Sequence, residues 1–169
     1  MNDRKDNKVK ASIVIHKPIE TIFAYVSDVK QITQDRQVKE LNKFSFFGLH
    51  VTPEVAQIED IQQTSPDPLG VGTTFVQKNT LHGKHSEIIF QIVEYNPARN
   101  ITYKFKGSML PSGEFKVLLT PVADSTKVTE ILSVGQGFYK LMLLFFESMM
   151  KKQIKANLHQ MKERLEQTP

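Results

Sequence analysis

The sequence predicts an α+β fold in which a curved antiparallel sheet wraps around one long C-terminal helix, with two short helices after the first strand. Three observations predict it. Residues 73–134 divide into short strand-like segments separated by turn-forming clusters, the pattern of an antiparallel meander. Residues 137–166 read as one long helix, the only element long enough to cover the apolar face of such a sheet. The chain begins with one alternating strand followed by helical spacing. At 169 residues, 40% apolar and 24% charged, it has the size and composition of one globular domain with a real core.

The elements follow in order. Residues 1–7, polar and charged, read as a disordered tail before a domain spanning 8–167. Residues 8–16 alternate, with Val9, Ala11, Ile13 and Ile15 on one side and Lys10, Ser12 and His16 on the other, which is a half-buried strand. Pro18 suits the first turn of a helix, where its missing N–H is not needed. That helix, 18–27, buries Ile19, Ile22, Phe23 and Val26 at spacings of three and four. A second helical turn is expected over 29–34. Residues 36–64 are less legible: an apolar knot (Phe44, Phe46, Phe47, Leu49), Pro53, then a strand over 55–63 anchored by Val55 and Ile61. Ser65 to Gly70 is a loop by composition. Strands are expected over 73–81, 86–95, 99–106, 114–121 and 127–134, with turns at His82-Gly83-Lys84, Asn96-Pro97 and Ala123-Asp124-Ser125 and a loop over 107–113.

The last helix has two unlike halves. Its C-terminal half carries one apolar stripe: Ile154, Leu158, Met161 and Leu165. Its N-terminal half, 138–150, is apolar nearly all the way round. One apolar face is enough to join a core. The surplus on Phe138, Leu141, Met142, Phe145 and Met149 calls for something else to touch: the 36–53 stretch, a second copy of the chain in a homodimer, or a hydrophobic ligand, for which Met side chains adapt well.

Composition excludes other classes. A formal net charge of +4 with Lys and Arg spread along the chain is not the footprint of a nucleic-acid binder. The absence of cysteine removes disulfides, thiolate metal sites and cysteine nucleophiles, and fits a reducing cytoplasm. The first residues lack the apolar core of a signal peptide. The longest apolar run, 141–146, is far short of the roughly 20 residues that span a bilayer, so stable membrane insertion is not expected. His82 and His85 have a spacing that permits a metal pair, but no third ligand completes a set and no metal site is expected. Gly70-Val71-Gly72 lacks the Lys-Ser/Thr of a phosphate loop, and no Gly-x-Ser-x-Gly nucleophile motif occurs. No cofactor is implied.

In its order of elements the chain resembles the helix-grip fold of the START/Bet v 1-like (SRPBCC) superfamily, and is most similar to its polyketide cyclase/dehydrase-like group. The resemblance rests on 12–28 (SIVIHKPIETIFAYVSD), 70–75 (GVGTTF), 94–99 (EYNPAR) and the ending with Leu158, Leu165 and Glu166, and covers about 8–166. Two features depart from the pattern. Gln34-Asp35-Arg36 stands where such sequences often carry a Trp, and 36–53 is longer than usual. The resemblance implies a cavity for a hydrophobic small molecule between the sheet and the long helix, and no fixed catalytic set.

Residues expected to line that cavity are Phe75, Phe90, Ile101, Tyr103, Phe105, Phe115, Glu130 and Leu132 on the sheet, with Leu143, Phe146, Glu147 and Met150 on the helix. Three carry chemistry. On a wheel of about 100° per residue, Glu147 falls in the middle of the stripe formed by Ile154, Leu158, Met161, Leu165, Met150 and Leu143. It is either a polar anchor or acid in an apolar pocket, or a surface partner of Lys151. Glu130 alternates with Val128, Leu132 and Val134, so it either faces the interior or pairs with a cation on a neighbouring strand. Tyr103, between Ile101 and Phe105, presents its hydroxyl to a cavity or is a core residue bonded at the edge. Three functions follow: binding of a hydrophobic small molecule, a cyclase/dehydratase-type reaction on a pocket carboxylate, or a homodimeric interaction module that uses the apolar face of the last helix.

Overall fold

A computed structural model describes residues 8–31, 44–46, 49–51, 57–81, 83–107, 112–134 and 139–167, and their side chains except at 44–46, 49–51, 57, 81, 139–146 and 149. Strand β1 (Lys8–Ile15) leads into helix α1 (Ile19–Ser27). A small antiparallel pair follows, β2 (Phe44–Phe46) and β3 (Leu49–Val51), and then β4 (Gln57–Gln63). The meander is β5 (Thr74–Leu81), β6 (Lys84–Asn96), β7 (Asn100–Gly107), β8 (Gly113–Val122) and β9 (Ser125–Val134), and α2 (Tyr139–Gln167) ends the chain. The seven-stranded sheet runs β1-β9-β8-β7-β6-β5-β4, antiparallel at every junction. This is the helix-grip α+β arrangement expected. The apolar knot resolves into the β2–β3 pair, a detail that a short apolar run does not reveal because it fits helix and strand alike. Val55 and residues 32–34 lie outside the described residues; residues 29–31 are helical.

Turn chemistry sets the meander. Gly83 (φ 71°), Ala98 (φ 54°) and Ala123 (φ 48°) occupy the left-handed region at the β5–β6, β6–β7 and β8–β9 turns, a conformation that tight hairpins demand. α1 starts directly after Pro18, whose fixed φ suits a helix start. Asp28 follows the helix, and its Oδ1 accepts from the backbone N–H of Lys30 (3.0 Å) and Gln31 (3.3 Å), starting the next helical turn.

Register lays the inner face out in rows. Phe75, Phe90, Phe105 and Gly113 are cross-strand neighbours. The next row is Ile92, Tyr103, Phe115, Leu132 and Val9. A third is Tyr95, Ile101, Val117, Glu130 and Ala11. Gly113 fits its row because a Cβ there would stand 2.5 Å from the Ser133 carbonyl oxygen and 2.6 Å from the Phe105 ring. A bulge at Ile92/Glu94 inserts one residue and so exchanges the two faces beyond it. Tyr95 thereby turns inward, where its ring meets Phe23 of α1 edge-on at 5.3 Å. Glu94 turns outward.

The helices close over this face. Ile22, Phe23 and Val26 of α1 are buried, and so are Ile154, Leu158, Met161 and Leu165 of α2. The described part of α2 packs mainly on β1. Its C-terminal end is tied there: Lys162 Nζ donates to the Val14 carbonyl (3.0 Å), and the His16 backbone N–H donates to Glu166 (2.8 Å). No helix among the described residues is long and apolar enough to cross a membrane.

Candidate functional site

Between the end of α1 and the β4–β5 side of the sheet lies a cleft of about 370 Å³. Val29, Ile61, Leu69 and Phe75 give it apolar walls, and Ser27, Asp28, Lys30 and Gln63 supply its polar groups. Each wall is fixed by local structure. Phe75 and Ile61 are inward, buried positions of β5 and β4. Val29 is set by the turn that Asp28 caps. Leu69 is carried by the loop before β5, held where the Gly72 N–H donates to the Ile92 carbonyl (2.8 Å), the Ile92 N–H to the Thr73 carbonyl (2.9 Å) and the Gly70 N–H to the Thr73 hydroxyl (2.9 Å). Gly72, at φ 94°, makes that turn possible. Apolar walls with a few convergent polar groups are the usual make-up of a small-molecule site. A second hollow, about 480 Å³, is lined mostly by outward-facing residues, among them Ile89, Gln91, Lys104, Lys106 and Glu114. It is crossed by the Lys104–Glu114 ion pair (3.6 Å).

The structure separates the expected site residues into groups. Phe75, Ile101, Tyr103 and Phe115 are buried on the inner face, with Phe90, Phe105 and Leu132 half-buried against them. The Phe90 and Phe105 rings lie 6.3 Å apart. Glu130 is 1% exposed and sits between Ala11 and Val117 on that face. Tyr103 does not offer its hydroxyl to a cavity as a free group: it donates to the Val26 carbonyl at 3.0 Å, fastening the end of α1 to the sheet. Leu143 and Phe146 have side chains outside the described residues, as does most of the far side of the first half of α2, where a second copy of the chain was expected as one possible cover.

Of the two positions open to Glu147, the structure shows the exposed one. Glu147 lies on the same helical face as Ile154, with Met150 half-buried between them. The stripe is covered at Leu165, Met161, Leu158 and Ile154 and emerges by Glu147. A helical wheel gives direction only; whether anything stands opposite depends on how far the sheet extends beneath the helix. Glu147 is therefore not enclosed in an apolar pocket. His85 is exposed, with its Nδ1 3.4 Å from Glu59 and 2.9 Å from the Thr80 hydroxyl. Among the described residues no group of three or more His, Cys, Asp or Glu could hold a metal ion.

Sequence reasoning missed the polar groups of the cleft and its neighbourhood. Gln77 and Asn79 of β5 are buried on the inner face, 7% and 2% exposed. Their alternation with Phe75 was the available signal. On the outer face, Lys116 Nζ lies 2.7 Å from Glu94, which also accepts from the Thr102 hydroxyl at 2.9 Å. Chiefly the Lys116 ammonium, then Asn100 and Thr102, hold the Glu94 carboxyl down at about 2.

A curved sheet gripping a long helix, with a cleft on its inner side, defines a helix-grip protein. The chain belongs to the family described as polyketide cyclase / dehydrase and lipid transport, whose model matches residues 6–166. Solved structures share the fold at low identity. A protein of Nitrosomonas europaea, NE0264, has a TM-score of 0.68 at 11% identity over 96% of each chain. TTHA0849 of Thermus thermophilus has a TM-score of 0.64 at 14% identity, covering 96% of this chain and 99% of that one. DynU16, a protein of the dynemicin biosynthetic locus, has a TM-score of 0.59 at 13% identity, covering 96% of this chain but 48% of that one. None of the curated proteins matches the sequence.

Proposed function

We propose that this protein binds a hydrophobic small molecule, such as a lipid or polyketide, between the inner face of the sheet and its helices, as a cytoplasmic carrier or receptor. The observation that carries the reading is the cleft itself: about 370 Å³ walled by Val29, Ile61, Leu69 and Phe75, beside the largely apolar core of the inner face. The family's association with polyketide cyclisation and lipid transport supports the same chemistry. Native mass spectrometry of freshly purified protein should reveal a co-purifying apolar molecule, or lipid and polyketide extracts should raise the melting temperature. A mass equal to the bare chain together with no thermal shift from any extract would overturn the reading.

A second reading, catalysis of the cyclase/dehydratase type, is favoured by Glu130, a carboxylate 1% exposed on the inner face. A carboxyl group in such a place can transfer protons to a bound substrate if the substrate reaches it. With a substrate that the wild type turns over, Glu130→Gln should abolish turnover while leaving binding in place. Equal turnover by the two proteins would remove Glu130 from any mechanism.

A further inference from the structure

The inner face of β5 continues from Phe75 through Gln77 to Asn79, away from the cleft. Gln77 stands directly opposite Ile61, a wall of the cleft, and Asn79 opposite Ile58 on one side and Ser86 on the other. The two amides are linked: Gln77 Nε2 donates to Asn79 Oδ1 at 2.6 Å. In this pairing the Asn79 amide is the acceptor. Its oxygen is taken, and its Nδ2 is buried without a hydrogen-bond acceptor among the described residues. Buried amide donors are nearly always paired, and leaving one unpaired costs stability in the empty protein. A buried, unused donor two inner positions beyond the cleft wall Phe75 on the same strand is placed to select an oxygen on a hydrophobic ligand that extends from the cleft along this face.

Resting on the binding function proposed above, we infer that Asn79 is a specificity-determining residue. It donates from Nδ2 to an uncharged acceptor oxygen of the ligand, of the ketone, ester or amide carbonyl class, with Gln77 holding it in place. The flanking inner positions Ile58, Ile61 and Ile88 are apolar and Ser86 is neutral, so the recognition is by amide donors rather than by a buried cation. A hydrocarbon of the same shape would leave the donor unpaired. Sites built to pair a buried polar group reject analogues that lack its partner.

The test compares 9-fluorenone with fluorene, which share a carbon skeleton and differ by the carbonyl, together with fluorene-9-carboxylate. Affinities are read by fluorescence titration. The wild type should bind the ketone roughly tenfold or more tighter than the hydrocarbon, the ratio expected of one hydrogen bond to a buried donor. The carboxylate should gain nothing over the ketone. In the double variant Gln77→Leu/Asn79→Leu, which removes both amides together, the ketone preference should vanish while fluorene binding is kept or improved.

Equal binding of ketone and hydrocarbon by the wild type would overturn the inference yet leave the pocket standing, since a buried water could satisfy the same donor. Tightest binding of the carboxylate would overturn the uncharged class. Retention of the ketone preference in the double variant would overturn the role of Asn79. Binding of none of the three would overturn this inference, while the binding function itself stands or falls on the native mass and the thermal shift with extracts. The wild-type comparison needs no folded variant.

Discussion

Gly113 and Phe105 make one inner-face contact that allows no side chain larger than hydrogen. A Cβ at Gly113 would meet the Ser133 carbonyl oxygen at 2.5 Å and the Phe105 ring at 2.6 Å. The ring can turn aside, but the carbonyl belongs to the β8–β9 ladder and cannot move without loss of pairing. Gly113→Ala should therefore destabilise the protein by about 1–3 kcal/mol, the usual range for overpacking. Thermal unfolding checks this, and an unchanged melting temperature would show that the strand yields. Single residues were legible in the sequence where period-2 alternation alone fixes their side, as for Glu130 between Val128 and Leu132. They were not legible where a partner far along the chain decides their role. Tyr103 was readable as inward, but its acceptor, the Val26 carbonyl, lies 77 positions away. Glu147 was left open between pocket and surface for the same kind of reason: a helical wheel gives direction and not cover.

Among the elements, the β6 bulge has the widest effect. Plain alternation places Glu94 on the same side as Ile92; the extra residue moves it out, next to Thr102 of β7 and Lys116 of β8. Three strands are thus joined by one carboxylate. Its ionisation is favoured in the folded state, down to about 2 from the ordinary 4.5. A depressed folded value means stabilisation that is present above about pH 4.5 and lost as pH falls toward 2. The Glu94 side chain is 39% exposed, so water screens the pair and its worth is held to about 1 kcal/mol or less. Wild type and Glu94→Gln should differ modestly in urea unfolding at pH 7, and the gap should close between pH 4.5 and 2. A gap independent of pH would assign the effect to packing. The strands and α1 were legible because turn chemistry and alternation agree; the bulge was not, since one extra residue leaves no mark in composition.

At the scale of the whole molecule, the two edges of the sheet separate the packing of α2 from the cleft to which binding is assigned in the proposed function. β1 and β4 are the outer strands of the seven. On the β1 side, α2 buries Ile154, Leu158, Met161 and Leu165, and Lys162 and Glu166 tie its end down. On the β4–β5 side lie the cleft and the Gln77–Asn79 pair. Damage to the first edge should therefore weaken the fold without altering the second. Leu158 is 1% exposed, and Leu158→Ala removes buried methyl groups and leaves a cavity, at a cost of about 3 kcal/mol. For a chain of this size that lowers the melting temperature by roughly 10 °C. Because ligand stabilisation depends only on concentration relative to affinity, 9-fluorenone at the same concentration should stabilise the variant as much as the wild type. Thermal melts of both proteins with and without the ketone measure the two quantities together. An equal increment on a lowered baseline is the outcome expected of separate edges. A variant that loses the increment would mean that the packing of α2 on β1 also shapes the cleft, so that binding and stability draw on one continuous core.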